Sequence, residues 1–287
     1  MAGARKVRTL DLTLFGVRTF IQVGKDERAE REAEHRATNN YFEGDYENWQ
    51  SALADARGYD QPTILQKAVI ATRTVQHGEA AYERDTVVYK TPAYSHPQLT
   101  WLLYAASRSH GKLHVLDFGG ALGSTYHQHH HALNHLPDLL WGVVEQAHYV
   151  EAGRSEFSDQ HLSFHFSLKE CSAAVTPNFG LLSATLQYLE KPYQQLEEML
   201  SLGLPYLLLD KTLAHRLGRD RLVVQHVPSW IYDASYPVWL LDADRLEKLF
   251  SQYDYKIGDT FDPYPGSTVQ VDDFCSAYSS WFLEKRF

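Results

Sequence analysis

One turn constrains the fold of this 287-residue chain more than any other feature. Residues 113–123 read Leu-His-Val-Leu-Asp-Phe-Gly-Gly-Ala-Leu-Gly. The apolar start predicts a short buried strand. The three glycines then let the backbone turn sharply and approach a ligand closely, before a helix begins. A strand, a glycine turn and a helix in this order predict an α/β fold with a ligand at the carboxyl edge of a parallel sheet.

The spacing of the glycines narrows the class of ligand. A dinucleotide fingerprint, Gly-x-Gly-x-x-Gly, is absent because the glycines fall at 119, 120 and 123. An acid before the loop, Asp117, suits a ligand without a phosphate and with a positive charge. The stretch resembles motif I of class I S-adenosylmethionine-dependent methyltransferases, with Ala121 at the place of the usual middle glycine. The resemblance implies cofactor contacts from Asp117, Gly119, Gly120 and Gly123.

The next two predicted strands end in residues that suit an adenosine. Glu145 ends the second strand about 20 residues after the turn, where an acid accepts hydrogen bonds from ribose hydroxyls in nucleoside-binding folds. The third strand, residues 162–166, is expected to end beside the adenine ring, with Phe166 stacking there or packing in the core. The neighbouring Gln146 and Ser167 complete the predicted adenosine side.

Two further apolar strands extend the predicted sheet. In the methyltransferase pattern that motif I resembles, the loop after the strand at 179–183 faces the methyl group. The resemblance therefore implies that Ser183 and Thr185 lie beside the cofactor, and Gln187 and Tyr188 beside the methyl acceptor. Continuous apolar runs that alternate with helices indicate a parallel sheet covered on both faces. With a late helix and two closing strands, the prediction is an α/β fold: a Rossmann-like, seven-stranded class I methyltransferase sheet with an N-terminal helical cap.

The chain divides into three predicted segments. Residues 1–40 form an arm, for which three interpretations stay open: packing on a partner subunit in a homo-oligomer, lying on a membrane surface, or a partly ordered terminus. Residues 41–110 form the helical cap, and residues 111–287 form the S-adenosylmethionine-binding domain.

Composition excludes several classes of protein. The net charge of −9 and the lack of a long basic block argue against a nucleic acid partner. The two cysteines form neither a disulfide framework nor a metal spacing, and no apolar run reaches 18 residues. We therefore predict a cytoplasmic protein without a transmembrane segment, or one peripheral to the inner membrane face. The histidines at 127–135 are predicted to form an exposed helix face that holds no metal.

Several short sequence segments extend the resemblance beyond motif I. They are Tyr-Phe-Glu-Gly-Asp-Tyr (41–46), Gly-Glu-Ala-Ala-Tyr-Glu-Arg-Asp (78–85), Val-Val-Glu-Gln (143–146), Leu-Gln-Tyr-Leu (186–189), Asp-Lys-Thr (210–212) and Ser-Tyr-Pro-Val-Trp (235–239). From residue 41 onward the chain resembles a family of bacterial methyltransferases often encoded among genes for surface polysaccharides. The resemblance implies S-adenosylmethionine as cofactor and O-methylation of a sugar in a surface glycan or its precursor.

Proton removal from a hydroxyl acceptor requires a base, and the acceptor requires a binding surface. Asp210 and His226 are the main candidates for the base. Arg84 and Arg221 are expected to pair with an anionic acceptor group. Tyr232 and Tyr236, in an aromatic loop at 228–239, are expected to pack on its ring.

Two other functions remain open from the sequence. An NAD-linked sugar-modifying enzyme is disfavoured by the missing dinucleotide fingerprint and by the lack of a Tyr-x-x-x-Lys pair. The second is a catalytically inactive binding or assembly subunit with the same fold. The presence of both Asp117 and Glu145 disfavours it, because an inactive site needs neither carboxylate.

Overall fold

The computed structural model describes residues 7–14, 17–24, 41–56, 62–228, 231, 234–271 and 274–286. The strands in these ranges are β1 Val7–Leu14, β2 Val17–Gly24, β3 Tyr41–Glu43, β4 Tyr82–Arg84, β5 Val87–Tyr89, β6 Lys112–Phe118, β7 Asp138–Val144, β8 Leu162–His165, β9 Phe179–Ser183, β10 Tyr206–His215, β11 Arg221–His226, β12 Ser235–Asp242, β13 Tyr255–Phe261, β14 Thr268–Val271 and β15 Phe274–Lys285. The helices are α1 Trp49–Asp55, α2 Pro62–Gln76, α3 His96–Arg108, α4 Ser124–Leu133, α5 Ala147–Ala152, α6 Leu168–Val175, α7 Pro192–Ser201 and α8 Ala243–Gln252.

Seven strands form the central sheet in the order β8, β7, β6, β9, β10, β15, β13. The five strands from β8 to β10 are mutually parallel. β15 runs antiparallel to both of its neighbours in this series, β10 and β13. The predicted α/β fold with a Rossmann-like, seven-stranded sheet is therefore confirmed.

The middle strands are buried because helices cover both faces of the sheet. On one face Leu102 of α3 and Tyr126 of α4 pack in a cluster with Trp141 of β7. On the other face Leu196 of α7 and Leu246 of α8 pack in a second cluster. This two-sided burial explains why β6, β7 and β9 read as nearly continuous apolar runs in the sequence.

A second antiparallel layer extends the sheet beside the end of β10. β11 pairs with β12 and with β3, and β12 joins β10 in parallel at Ala214 and His215. The interpretation of residues 228–239 as an aromatic loop is therefore only partly right, because Tyr236 and Trp239 lie in β12. Nearly every residue of β12 is buried, so its sequence lacks the alternation of polar and apolar residues that marks a half-buried strand.

The segment 41–110 contains strands as well as helices. It includes β3 and the β4–β5 hairpin, and α3 packs directly on the sheet strand β6. N-terminal to it, β1 and β2 pair as an antiparallel hairpin. The charged part of the predicted arm, residues 25–40, lies outside the described residues.

The histidine-rich helix α4 corrects the expectation of an exposed face. His129 is completely buried, and its Nε2 lies 2.8 Å from Gln98 Oε1. Burial lowers the pKa of His129 to about 3 and that of His127 to about 4, so both rings are neutral at pH 7.

None of the helices that the structure describes is long and apolar enough to cross a membrane.

Candidate functional site

Two connected cavities lie at the carboxyl edge of the sheet. The larger is a cleft of about 1620 Å³, and the smaller has a volume of about 140 Å³. Both are lined by Asp85, Gly119, Glu145, Ala184 and Tyr264, so these residues mark the junction between them. The edge is where parallel α/β sheets bind ligands, which makes the two cavities the candidate site.

The turn after β6 is held in left-handed backbone conformations. Gly119 has φ +74° and Gly123 has φ +87°, and the Gly119 N–H donates to Val144 O at 2.9 Å. A Cβ atom on Gly119 would overlap the Thr185 side chain. Ala121 adopts φ +51°, a conformation that costs an alanine about 1–2 kcal/mol. The turn thus has the backbone of a glycine motif even where glycine is absent.

Asp117 lies buried beneath the turn, at the wall of the small cavity. The Trp141 Nε1–H donates to its Oδ2 at 3.0 Å. Burial raises the Asp117 pKa to about 7, with a smaller upward effect from the charge of Glu145 and a downward effect from the Trp141 hydrogen bond. A cation entering the small cavity would therefore favour the ionised carboxylate.

Glu145 points into the cleft with its carboxylate held by the main chain. Its Oε1 accepts from the Ala121 N–H at 3.2 Å, and its Oε2 accepts from the Gln146 N–H at 2.7 Å. Burial raises the pKa of Glu145, and the two backbone hydrogen bonds oppose that rise. Each oxygen keeps lone-pair capacity for a further donor, so the group suits a pair of ligand hydroxyls.

The far wall of the cleft is formed by residues that follow β8. Phe166 is 48% exposed, and the Arg154 guanidinium lies 4.6 Å from its ring centroid. Ser167 is the N-cap of α6 and accepts a hydrogen bond from the Glu170 N–H. Phe166, Ser167 and Gln146 all line the cleft, as does Thr185 from the opposite side.

The small cavity is lined by charged groups from the β4–β5 hairpin. Glu83 is buried and accepts a hydrogen bond from Ser124 Oγ. Arg84 donates from Nη2 to Gln128 Oε1 at 2.6 Å and from Nη1 to Tyr264 Oη at 3.5 Å. Gly120 and Ser183 also line this cavity. The expectation that Arg84 lies beside the sheet edge agrees with this position.

Asp210 does not reach either cavity. It is completely buried, and its two oxygens accept hydrogen bonds from Ser280 Oγ at 2.8 Å, Ser183 Oγ at 2.8 Å and Gln98 Nε2 at 3.1 Å. Lys211 Nζ lies 3.0 Å from Oδ2 and completes the network. The prediction of Asp210 as the base is therefore wrong, because four internal groups surround its carboxylate and no substrate can reach it.

His226 and Arg221 also lie away from the cavities. His226 Nε2 is 2.8 Å from Glu43 Oε1, and its ring stacks on Tyr41 at 4.3 Å. The buried Arg221 guanidinium donates to the carbonyl of Gly44 at 2.9 Å. Both side chains bind the β3 segment to β11, so their predicted roles as base and as acceptor-binding residue are corrected to structural ones.

Two other predicted residues, Gln187 and Gly123, line neither cavity. Gln187 is buried outside both cavities and donates from Nε2 to Lys211 O at 3.0 Å, so it supports the bulge in β10 and does not bind substrate. Gly123 lines neither cavity and supplies the backbone N-cap of α4. Tyr232 lies outside the described residues.

Four tyrosines form one wall of the cleft. Tyr188 and Tyr236 meet edge to face, with ring centroids 5.3 Å apart and an interplanar angle of 84°. Tyr264 and Tyr278 make a similar contact at 5.2 Å and 85°. All four line the cleft. This wall offers ring faces and hydroxyl groups to a ligand.

Strained backbone concentrates at the small cavity. Of the eight described residues other than glycine with positive φ, five line this cavity: Asp85, Thr86, Ala121, Ala184 and Lys211. Such conformations cost about 1–3 kcal/mol each and cluster at functional sites. Asp85, Lys211, Tyr264 and Tyr278 were missed by the sequence analysis, because no glycine or motif marks their turns and strands.

Comparison with known proteins gives only distant similarities. No protein-family model matches the chain, and no curated protein does. Among solved structures, an amino pentose methyltransferase from Micromonospora echinaspora involved in calicheamicin biosynthesis, solved with bound SAM, is similar with a TM-score of 0.44 and 10% identity, over 75% of this chain and 96% of that one. Magnesium protoporphyrin IX methyltransferase from Synechocystis, solved with bound SAH, is similar with a TM-score of 0.43 and 13% identity, over 80% and 90%.

A third solved structure, a SAM-dependent methyltransferase from Clostridium acetobutylicum, has a TM-score of 0.42 and 8% identity, over 68% of this chain and 93% of that one. These likenesses are too distant to assign an activity. Within the part of the chain that the structure describes, no three His, Cys, Asp or Glu side chains are grouped to hold a metal ion.

Proposed function

We propose that this chain is an S-adenosylmethionine-dependent methyltransferase. The observation that carries the proposal is the Glu145 carboxylate, held at the edge of the cleft by the N–H groups of Ala121 and Gln146. An acid fixed in this way beside a left-handed glycine turn suits two ribose hydroxyls. A pyrophosphate would instead meet a negative charge there.

The remaining groups of the site fit the rest of this cofactor. Phe166 offers the exposed face of its ring to the adenine. The small cavity suits the methionine end, because Asp117 attracts an ammonium and Arg84 attracts a carboxylate. The bound cofactor supplies an activated methyl group on a sulfonium. The chain's own residues orient it and exclude water around it.

We further propose that the acceptor is a sugar hydroxyl of a bacterial surface glycan or its precursor. The tyrosine wall of the cleft supports a ring-shaped acceptor, and the resemblance in residues 41–46 and 235–239 supports the polysaccharide setting. In this proposal residues 111–287 bind the cofactor. Residues 41–110 contribute Arg84 beside the methionine end of the cofactor.

Calorimetry with S-adenosylhomocysteine tests the cofactor assignment. We expect micromolar binding by the wild-type protein and none of NAD. Glu145→Ala should weaken binding by about 1–3 kcal/mol, the typical cost of losing hydrogen bonds to a charged group. The matched control is Glu156→Ala, which removes a carboxylate paired with Arg73 outside both cavities. Equal affinity in the two variants, or binding of NAD instead, would contradict the proposal.

A further inference from the structure

One acidic side chain of the site has no role in the cofactor assignment. Asp85 lines both cavities at their junction, together with Gly119 and Ala184. These two neighbours belong to the turns after β6 and β9, which face each other across the middle of the sheet edge. Solvent reaches Asp85 through the cleft. The carboxylate therefore lies where the cofactor side of the site meets the acceptor side.

The backbone holds Asp85 in a strained position. The β4–β5 hairpin turns through Asp85 with φ +50° and Thr86 with φ +69°. Two-residue turns of this kind favour Asn-Gly or Asp-Gly, and a β-branched residue in this region is an outlier. Glu83 Oε2 accepts a hydrogen bond from the Thr86 N–H at 3.3 Å, which helps to fix the turn. The strain is evidence for a functional constraint on this hairpin tip.

The other acids of the site have donors, whereas Asp85 does not. Glu83, Asp117 and Glu145 each accept hydrogen bonds. Among the described residues, no donor forms a hydrogen bond or an ion pair with the Asp85 carboxylate.

The two cations that attract Asp85 are engaged elsewhere. They are Arg84, bound to Gln128 at 2.6 Å, and Lys211, paired with Asp210 at 3.0 Å. The lone pairs of Asp85 thus remain available to a ligand.

We propose that Asp85 contacts the reacting atom of the methyl acceptor and receives its proton, an inference that rests on the proposed methyltransferase function. The lone pair of an acceptor oxygen or nitrogen forms the new bond to the methyl carbon. The carbon–sulfur bond breaks, and its electron pair stays on sulfur, which loses its positive charge. The proton leaves the acceptor atom for an Asp85 oxygen. The acceptor is accordingly a hydroxyl or amine compound.

The charge of the surrounding wall agrees with this class of acceptor. Within the described part of the chain, Lys169 is the only lysine or arginine that lines the larger cleft, and it lies on the side of Phe166 and Ser167. Beside the tyrosine wall, on the side of the small cavity, Arg84 Nη1 donates to Tyr264 Oη at 3.5 Å. The larger cleft therefore suits an acceptor without a negative charge, and the pairing of an anionic acceptor group with Arg84 stays a prediction.

Sinefungin tests the position of Asp85 without a known acceptor. In this analogue a carbon that bears an amine replaces the sulfonium and its methyl group, so its ammonium lies where the methyl group would be transferred. We expect wild-type protein to bind sinefungin more tightly than S-adenosylhomocysteine. In Asp85→Asn, calorimetry should show sinefungin affinity reduced roughly tenfold or more, with S-adenosylhomocysteine affinity unchanged.

Two variants serve as controls. Asp254→Asn makes the same chemical change at an exposed left-handed position, φ +56°, outside both cavities, and should leave both affinities unchanged. Asp85→Gly removes the carboxylate while relieving the strained φ, so it tests the inference in a protein with a relaxed turn.

The outcomes separate the two proposals. An unchanged ratio of the two affinities in Asp85→Asn and Asp85→Gly overturns the inference about Asp85, with the methyltransferase proposal intact. A wild-type protein that binds S-adenosylhomocysteine but shows no preference for sinefungin also overturns it. A wild-type protein that binds neither compound overturns the proposed function itself.

Discussion

The two sides of the site are built in different ways. The cofactor side comes from two short stretches, residues 117–123 and 143–146, and much of its geometry is made by backbone groups. The acceptor side draws side chains from the tip of the β4–β5 hairpin, the turn after β9, β12 and the segments after α8. A site built from backbone groups requires only a local pattern of glycines and an acid. A site built from side chains of distant segments forms only when the tertiary structure is complete.

The difference also appears in the way charge is held. On the cofactor side, N–H dipoles stabilise Glu145. Behind the small cavity, Lys211 and Asp210 form a buried ion pair with neutral donors around it. Backbone dipoles are part of the fold itself, whereas a buried pair depends on both partners. Mutations should therefore affect the stability of the two sides to different degrees.

The largest expected effect is on the buried pair. Asp210→Ala leaves the Lys211 ammonium buried without its partner, so the free energy of unfolding should fall by about 3–5 kcal/mol in urea titrations. Asp210→Ala combined with Lys211→Met should recover much of this loss. The control, Asp244→Ala, breaks an exposed pair with Arg216 and should cost less than about 1 kcal/mol. Equal losses in the two single variants would remove the distinction between the sides.

The next effect is a pH dependence on the cofactor side. Between its unfolded pKa of 3.8 and its folded pKa of about 7, Asp117 keeps a proton in the folded protein that the unfolded chain has lost. Stability therefore falls as pH rises through this window and levels off above pH 7. The loss attributable to Asp117 from pH 5 to pH 8 is roughly 3 kcal/mol. Denaturant titrations of Asp117→Asn at both pH values should lack this part of the decline, and parallel declines would refute the assignment.

A third variant tests the packing between the two sides. In Gly119→Ala the new methyl group overlaps Thr185 in a left-handed conformation, so stability should fall by about 2–3 kcal/mol. Gly78→Ala is the control, because it has φ +76° with no atom within 4 Å of the new Cβ and so measures the conformational cost alone. Thr185→Ala in the Gly119→Ala background should recover only the part of the stability loss by which Gly119→Ala exceeds Gly78→Ala. A loss no greater than that of Gly78→Ala would show that the turn tolerates the methyl group.

The smallest expected effect is a gain. Ala121→Gly relieves the positive φ of the turn, at some cost in entropy of the unfolded chain, and should stabilise the protein by about 0.5–1 kcal/mol. Ala184→Gly makes the same change after β9, with φ +53°, and a similar gain is expected. Thermal unfolding of both variants provides the measurement. A decrease in stability at Ala121 would mean that its methyl group makes a contact worth more than the strain.

Local patterns predicted the features that depend on local structure. The buried parallel strands and the turn at Gly119 were predictable because apolar runs and glycine spacing are properties of consecutive residues. Arg221 was misjudged because its partner carbonyl belongs to Gly44, far away in sequence. Asp85 was missed because its turn uses Asp-Thr where a glycine would have signalled the left-handed backbone. Long-range partners and tolerated strain leave no pattern in a single sequence.

The insertion of β15 between β10 and β13 has a consequence for synthesis on the ribosome. β10 pairs with β9 early, but its other edge waits for residues 274–285, and β13 joins the sheet only through β15. At translation rates of ~5–20 residues per second, that edge stays open for roughly 3–12 s. An apolar strand with unpaired N–H and C=O groups is a template for association with other chains. Nascent molecules are thus most exposed to misassembly and chaperone capture just before the last strand emerges.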